Sequence, residues 1–179
     1  MSCIVAYKGE DGTIVVGADS RISSGSNITH CHFSKLLRRS GALWGFIGDC
    51  RFMQIVEWQM EFPEALTEEW LFKEFPKKLM DLLGEHRFGD NLSVNPAKGG
   101  QIMVVFDGEI YIVHSDYCIL KSDQMYEAIG SGERYALGAL RAVWNEVEAL
   151  PGWYCEKALA AASFYRTDVS PPFRYEIVR

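Results

Sequence analysis

The run Met1-Ser2-Cys3-Ile4-Val5-Ala6-Tyr7-Lys8 turns at Gly9-Glu10-Asp11-Gly12 and returns as Thr13-Ile14-Val15-Val16-Gly17-Ala18-Asp19. Small and apolar residues fill both arms and glycines punctuate the turn, which predicts a β-hairpin. The consecutive β-branched pair Val15-Val16 predicts a return strand buried on both faces. A hydroxyl and a thiol, Ser2 and Cys3, therefore stand at the start of a core strand, and two charges, Asp19 and Lys35, follow it.

A hairpin buried on both faces needs covering layers, and the rest of the chain offers them. After a polar loop at Ser23-Ser24-Gly25-Ser26-Asn27, a second hairpin reads from Lys35 to Arg39 and from Ala42 to Gly48, turning at Ser40-Gly41. Phe52, Ile55 and Val56 share one face of a predicted helix from Asp49 to Glu61, which Pro63 stops. Leu71, Phe75, Leu79 and Leu82 recur at helical spacing between Glu68 and Leu83, and Pro76 either kinks or divides that run. The segment His86 to Gly100 reads as a loop. Strands resume at Gln101–Phe106 and Glu109–Val113 around Asp107-Gly108, a strong hairpin signal. A strand at Tyr126–Ile129 enters Gly130-Ser131-Gly132, helices follow from Glu133 to Glu148 and from Trp153 to Tyr165, and Phe173–Val178 closes as a strand. Strands, helix pair, strands, helix pair, strand: the order predicts an α+β fold, a four-layer αββα sandwich of two antiparallel sheets, with residues 1–179 as one domain.

Composition narrows the function classes. A net charge of −6, with no basic cluster longer than Leu37-Arg38-Arg39, argues against nucleic acid. No apolar run is long enough to span a bilayer, and the N-terminus lacks a signal-peptide pattern, so no membrane partner is expected. Five cysteines without metal-type pairing fit reduced thiols, hence a cytoplasmic location. In His30-Cys31-His32 the two imidazoles share one face if the segment is a strand. No second ligand pair accompanies them, so neither a metal nor another cofactor is expected.

Five pieces occur in a fixed order: Ser2-Cys3-Ile4-Val5; Gly17-Ala18-Asp19-Ser20-Arg21 with Gly25; Lys35; Gly45-Phe46-Ile47-Gly48; and Ala128-Ile129-Gly130-Ser131-Gly132, continued by Tyr135-Ala136. Together they resemble the proteasome β-subunit family, including the HslV peptidases, within the N-terminal-nucleophile hydrolases. The resemblance implies a peptidase whose first residue supplies the attacking side chain and whose free α-amine takes the proton. It places the nucleophile at Ser2, a lysine that lowers the proton affinity of the surroundings at Lys35, and the aspartate that holds it at Asp19. The oxyanion donor falls on the backbone N–H of Gly48, and a serine beside the amine falls on Ser131. Asp168 and Ser170 resemble the family's final Asp…Ser pair, and Ser20, Arg21, Gly45 and Ile47 fall near the substrate. The implied partners are peptides or unfolded proteins, further copies of the chain in stacked rings of six or seven, and an ATP-dependent unfoldase.

The chain departs from the family pattern in three places. Serine stands where threonine is usual, without the methyl that restricts χ1. Cys3 is a rival nucleophile, because Asp19 and Lys35 lie 16 and 32 residues beyond it, which is the family's ungapped spacing. Choosing Ser2 needs one inserted residue in the Gly9–Gly12 turn but keeps Ile4-Val5 and the strand alternation in register. Asp168 and Ser170 are separated by one residue where the family has two. The α-amine chemistry also waits on removal of Met1. Two other readings stay open: a catalytically silent ring scaffold, and an amidohydrolase acting on a small amide. Taken alone, Asp19 with Arg21 reads as a local turn ion pair and Lys35 as a solvated lysine.

Overall fold

The structure is a computed structural model, and it describes residues 2–24, 27–29, 33–86, 100–144 and 149–179. The opening hairpin forms strands β1 (Cys3–Lys8) and β2 (Ile14–Ala18), both lined with buried residues. They sit at the centre of a four-stranded antiparallel sheet, with β10 (Tyr126–Gly130) beside β1 and β11 (Arg174–Val178) beside β2. Cys3 pairs with Gly130 on one side of β1, and Ile4 pairs with Ala18 on the other.

The second sheet is the meander of β5 (Leu36–Arg39), β6 (Ala42–Gly48), β7 (Gly100–Phe106), β8 (Glu109–Val113) and β9 (Ile119–Lys121). Period-2 alternation sorts the central strands between two apolar layers. On β1, Ile4 and Ala6 face Leu43, Met103, Val105 and Ile110 of the other sheet, filling the layer between the sheets. Cys3, Val5 and Tyr7 face α4 (Glu133–Val143) and α5 (Pro151–Tyr165), which contribute Leu140, Tyr154 and Leu159. On the far side Trp44, Phe46, Ile102 and Val104 meet α1 (Cys50–Gln59), α2 (Glu68–Lys73) and α3 (Phe75–Glu85). Two antiparallel sheets between helical layers make the αββα arrangement expected from the element order. Each fully buried aliphatic side chain in these layers contributes about 1.5–3 kcal/mol of hydrophobic stabilisation.

Of the two outcomes open at Pro76, the structure shows division: α2 ends before Glu74, and α3 carries the proline in its first turn, where its missing N–H is harmless. The structure differs from the sequence reading in three particulars. The expected polar loop holds a small hairpin of β3 (Ile22–Ser24) and β4 (Asn27–Thr29). Ile119–Lys121 adds a fifth strand to the second sheet, and α5 begins two residues before Trp153. The expected loop at 86–100 and the His30-Cys31-His32 motif lie largely or wholly outside the described residues.

Candidate active site

The alternation of β1 settles which way each of its first residues faces. Cys3 belongs to the helix-facing layer, has no exposed surface and packs beneath Gly132, where an added Cβ would lie 2.8 Å from the Cys3 Cβ. Burial, and then the neighbouring Asp19 charge, push its thiol up to about 12 against a smaller opposing effect of Lys35. Ser2 has the opposite parity, that of Ile4 and Ala6. It lines a cleft of about 50 Å³ shared with Arg21, Lys35, Ile47 and Gly48.

Beneath that cleft lies a buried ion pair. Lys35 Nζ is 2.7 Å from Asp19 Oδ1, with side-chain exposures of 5% and 0%. The same Oδ1 accepts the Cys3 backbone N–H at 2.9 Å, Oδ2 accepts the Arg21 N–H at 3.1 Å, and Lys35 also donates to the Arg21 carbonyl at 2.9 Å. Lys35 is thus not a solvated lysine, and the Asp19 side chain pairs with Lys35, while the Arg21 guanidinium bonds the Thr167 carbonyl. Buried charges of this kind are held in place by the penalty of separating them. The pair therefore fixes Lys35 against the start of β1.

Glycines set how closely the strands approach. Gly130 has φ +104°, and a Cβ there would lie 2.2 Å from the Ser2 carbonyl oxygen, so only a residue without one lets β10 reach Ser2. Next to it, Ser131 Oγ lies 3.2 Å from the Ser2 carbonyl oxygen. The Ser131 hydroxyl is also within hydrogen-bond reach of the buried Asp168 carboxylate, and its one proton serves either that carboxylate or the Ser2 carbonyl. Burial works to raise the Asp168 carboxyl, but hydrogen bonds from Arg166 and Ser131 outweigh it and hold the group below the usual carboxylate range. Gly48 ends β6 with φ +118° at the cleft.

Other expected residues stand apart. Ser170 Oγ makes a local bond to the Pro171 carbonyl, and Ser20 contributes a backbone N–H to the Ser170 carbonyl rather than a wall of the cleft. Gly45 opens no space for a substrate: its missing Cβ would meet Ile4 Cδ1 at 3.1 Å inside the inter-sheet layer. Sequence reasoning missed Phe33 and Met53, which form an apolar wall of the cleft with Phe46. It also missed Arg166, whose Arg-x-Asp spacing to Asp168 was the available signal. Among the described residues no group of three or more His, Cys, Asp or Glu is arranged to hold a metal ion, and no helix is long and apolar enough to cross a membrane.

No family model matches the chain. Among solved structures it is similar to BPH from Thiobacillus denitrificans, with a TM-score of 0.84 at 17% identity, covering 98% of this chain and 96% of that one. It is also similar to eukaryotic HslV from Trypanosoma brucei, with a TM-score of 0.70 at 19% identity and 98% coverage of both chains. Anbu, the ancestral beta-subunit from Yersinia bercovieri, superposes with a TM-score of 0.72 at 13% identity, over 99% of this chain and 81% of that one. The chain has the proteasome-type N-terminal-nucleophile hydrolase fold. In this proteasome-type fold the hydroxyl of Ser2, a buried ammonium with a fixed counter-ion and the Gly48 backbone share one cleft. That combination suits attack by an alcohol on a carbonyl, because nearby positive charge and N–H donors favour the developing oxyanion.

Proposed function

We propose that this chain is an N-terminal-nucleophile peptidase subunit in which Ser2 attacks the amide carbonyl once Met1 has been removed. The Ser2 hydroxyl proton passes to the α-amine as Oγ bonds the carbonyl carbon, the departing amine takes that proton, and water then hydrolyses the acyl ester. An α-amine titrates near ~7.7–8.0, so a substantial fraction is unprotonated at neutral pH. Lys35, held by Asp19, favours the deprotonated nucleophile. The Gly48 N–H receives the oxyanion, a donor typically worth ~2.7–4 kcal/mol in the transition state. Ser131 and Asp168 orient the amine, while Arg21 and Ile47 line the approach of the substrate.

Residues 1–179 act as one domain that assembles with further copies into stacked rings of six or seven, enclosing the sites in the cytoplasm. Unfolded polypeptides are the substrates, delivered by an ATP-dependent unfoldase, and no cofactor takes part. The observation that carries the reading is the meeting of Ser2, Lys35 and Gly48, from three separate strand ends, on one cleft above the buried Asp19–Lys35 pair. The likeness to a BPH structure determined with epoxomicin bound adds support for peptidase chemistry.

The test joins intact mass with peptide hydrolysis. Protein lacking Met1 is expected to cleave fluorogenic peptides and to gain one epoxomicin mass on the Ser2 peptide. Ser2→Ala should lose at least 100-fold in rate while keeping its melting temperature. Equal rates in the parent and Ser2→Ala would refute the mechanism.

A further inference from the structure

Arg166 follows α5 and lies outside the residues that the family resemblance assigned. Its Nε–H donates to Asp168 Oδ1 at 2.8 Å and its Nη2–H to Oδ2 at 2.7 Å. A two-pronged clamp of this kind fixes the plane of the carboxylate as well as compensating its charge. Asp168 is 5% exposed, and beyond the clamp it lies within hydrogen-bond reach of Ser131, which also reaches the Ser2 carbonyl. An uncompensated carboxylate linked through Ser131 to the residue that bears the amine would favour the protonated amine. A protonated amine cannot act as a base.

We propose that Arg166 is a positioning residue for the Ser2 amine: it compensates the Asp168 carboxylate and fixes both its oxygens, so that Ser131 stays aligned and the amine is left able to accept a proton. The proposal rests on the reading of Ser2 as the first residue of the working protein.

Other charged and titratable groups face this region from every neighbouring element. Asp19 and Lys35 compensate one another across 2.7 Å. The Arg21 guanidinium is bonded to the Thr167 carbonyl, and the Cys3 thiol, pushed up to about 12 by burial, is neutral through the working range. On α4, burial and then Glu127 raise the carboxyl of Glu133. Tyr135 lies near Arg166, and Asp49 and Cys50 line the cleft across from Ser2. The double variant Arg166→Gln with Asp168→Asn separates the Arg166–Asp168 pair from these groups.

The experiment measures the pKa of the Ser2 α-amine directly, by competitive acetylation with acetic anhydride across pH. It uses protein processed to begin at Ser2 and quantifies the N-terminal peptide by mass. Peptide kcat/KM is followed across pH on the same samples. Arg166→Gln is expected to raise the amine pKa by about 1 unit or more and to move the acid limb of kcat/KM upward by the same amount. Arg166→Lys, which keeps the charge, should stay near the parent value, and Arg166→Gln with Asp168→Asn should return to it. An unchanged amine pKa in Arg166→Gln, or a shift that the double variant fails to reverse, would overturn the proposal. If Arg166→Gln does not fold, Asp168→Asn decides: it should lower the amine pKa, and no change would overturn the proposal equally. A parent that cleaves no peptide while these amine shifts still occur would sink the catalytic reading and leave the role of Arg166 standing.

Discussion

Replacing Asp19 with alanine removes more from this structure than one charge. The carboxylate serves the Cys3 N–H, the Arg21 N–H and the Lys35 ammonium, and without it that ammonium keeps the Arg21 carbonyl. Both side chains are almost wholly buried, and breaking such a pair by deleting one partner costs about 3–5 kcal/mol. An unfolding entropy of ~2.1 cal/mol/K per residue over the 179 residues gives about 0.38 kcal/mol/K, so the melting temperature should fall by about 8–13 °C. Thermal unfolding at fixed protomer concentration measures this, since assembly would otherwise change the midpoint. Asp19→Asn combined with Lys35→Met removes both charges and keeps an acceptor for the Cys3 N–H, so it should recover at least half of the loss. Peptide hydrolysis should be absent from both variants. An Asp19→Ala midpoint within about 3 °C of the parent, or a double variant no more stable than the single one, would refute the picture of a buried pair anchoring β1.

Three other outcomes follow from the same geometry. Gly130→Ala forces a Cβ to within 2.2 Å of the Ser2 carbonyl at φ +104° and should prevent accumulation of folded protein. Gly41→Ala, at φ +76° with no neighbour within 4 Å, should cost only about 1 kcal/mol of backbone strain, and equal soluble yields of the two would count against so close an approach of β10 to Ser2. Cys3, with its thiol pushed up to about 12, should resist iodoacetamide at neutral pH in the native protein. Cys3→Ala should keep peptide hydrolysis within about threefold of the parent, whereas a 100-fold loss would move the nucleophile to Cys3. Asp168 titrates below its unfolded value of ~3.9, so its stabilising contribution is fully present above that pH and is lost as the pH falls through the lower folded value. The difference in unfolding free energy between the parent and Asp168→Asn should be flat from neutral pH to about pH 5 and shrink below about pH 4; a difference that widens on acidification would contradict the assignment.

The layers were legible because alternation and turn chemistry both act locally. Val15-Val16, Asp107-Gly108 and the Leu71–Leu82 spacing each carry their own signal: Val15, Val16, Leu71 and Leu79 are buried, and Asp107-Gly108 turns between β7 and β8. The β3–β4 hairpin gave no such signal, since all of β4 is exposed and its polar residues resemble a loop. At the candidate site, Ser2, Lys35 and Gly48 were named through resemblance, and their approach depends on two sheets stacking, which no local spacing encodes. Gly45 meets the same limit, because the Ile4 side chain packed against it comes from the other sheet. Arg166 escaped because its importance lies in a clamp on a residue two positions away whose own partner, Ser131, is far along the chain.

The place of β1 between β10 and β2 has a consequence for how this site can fail. Most reactive side chains ride on loops that open long before the core does, but Ser2 directly precedes a central strand paired on both sides. Amides of such strands exchange with solvent only when the whole sheet opens. The peptide that follows the nucleophile therefore has no private melting transition: warming should leave the anchorage of Ser2 on β1 in place until the protein unfolds.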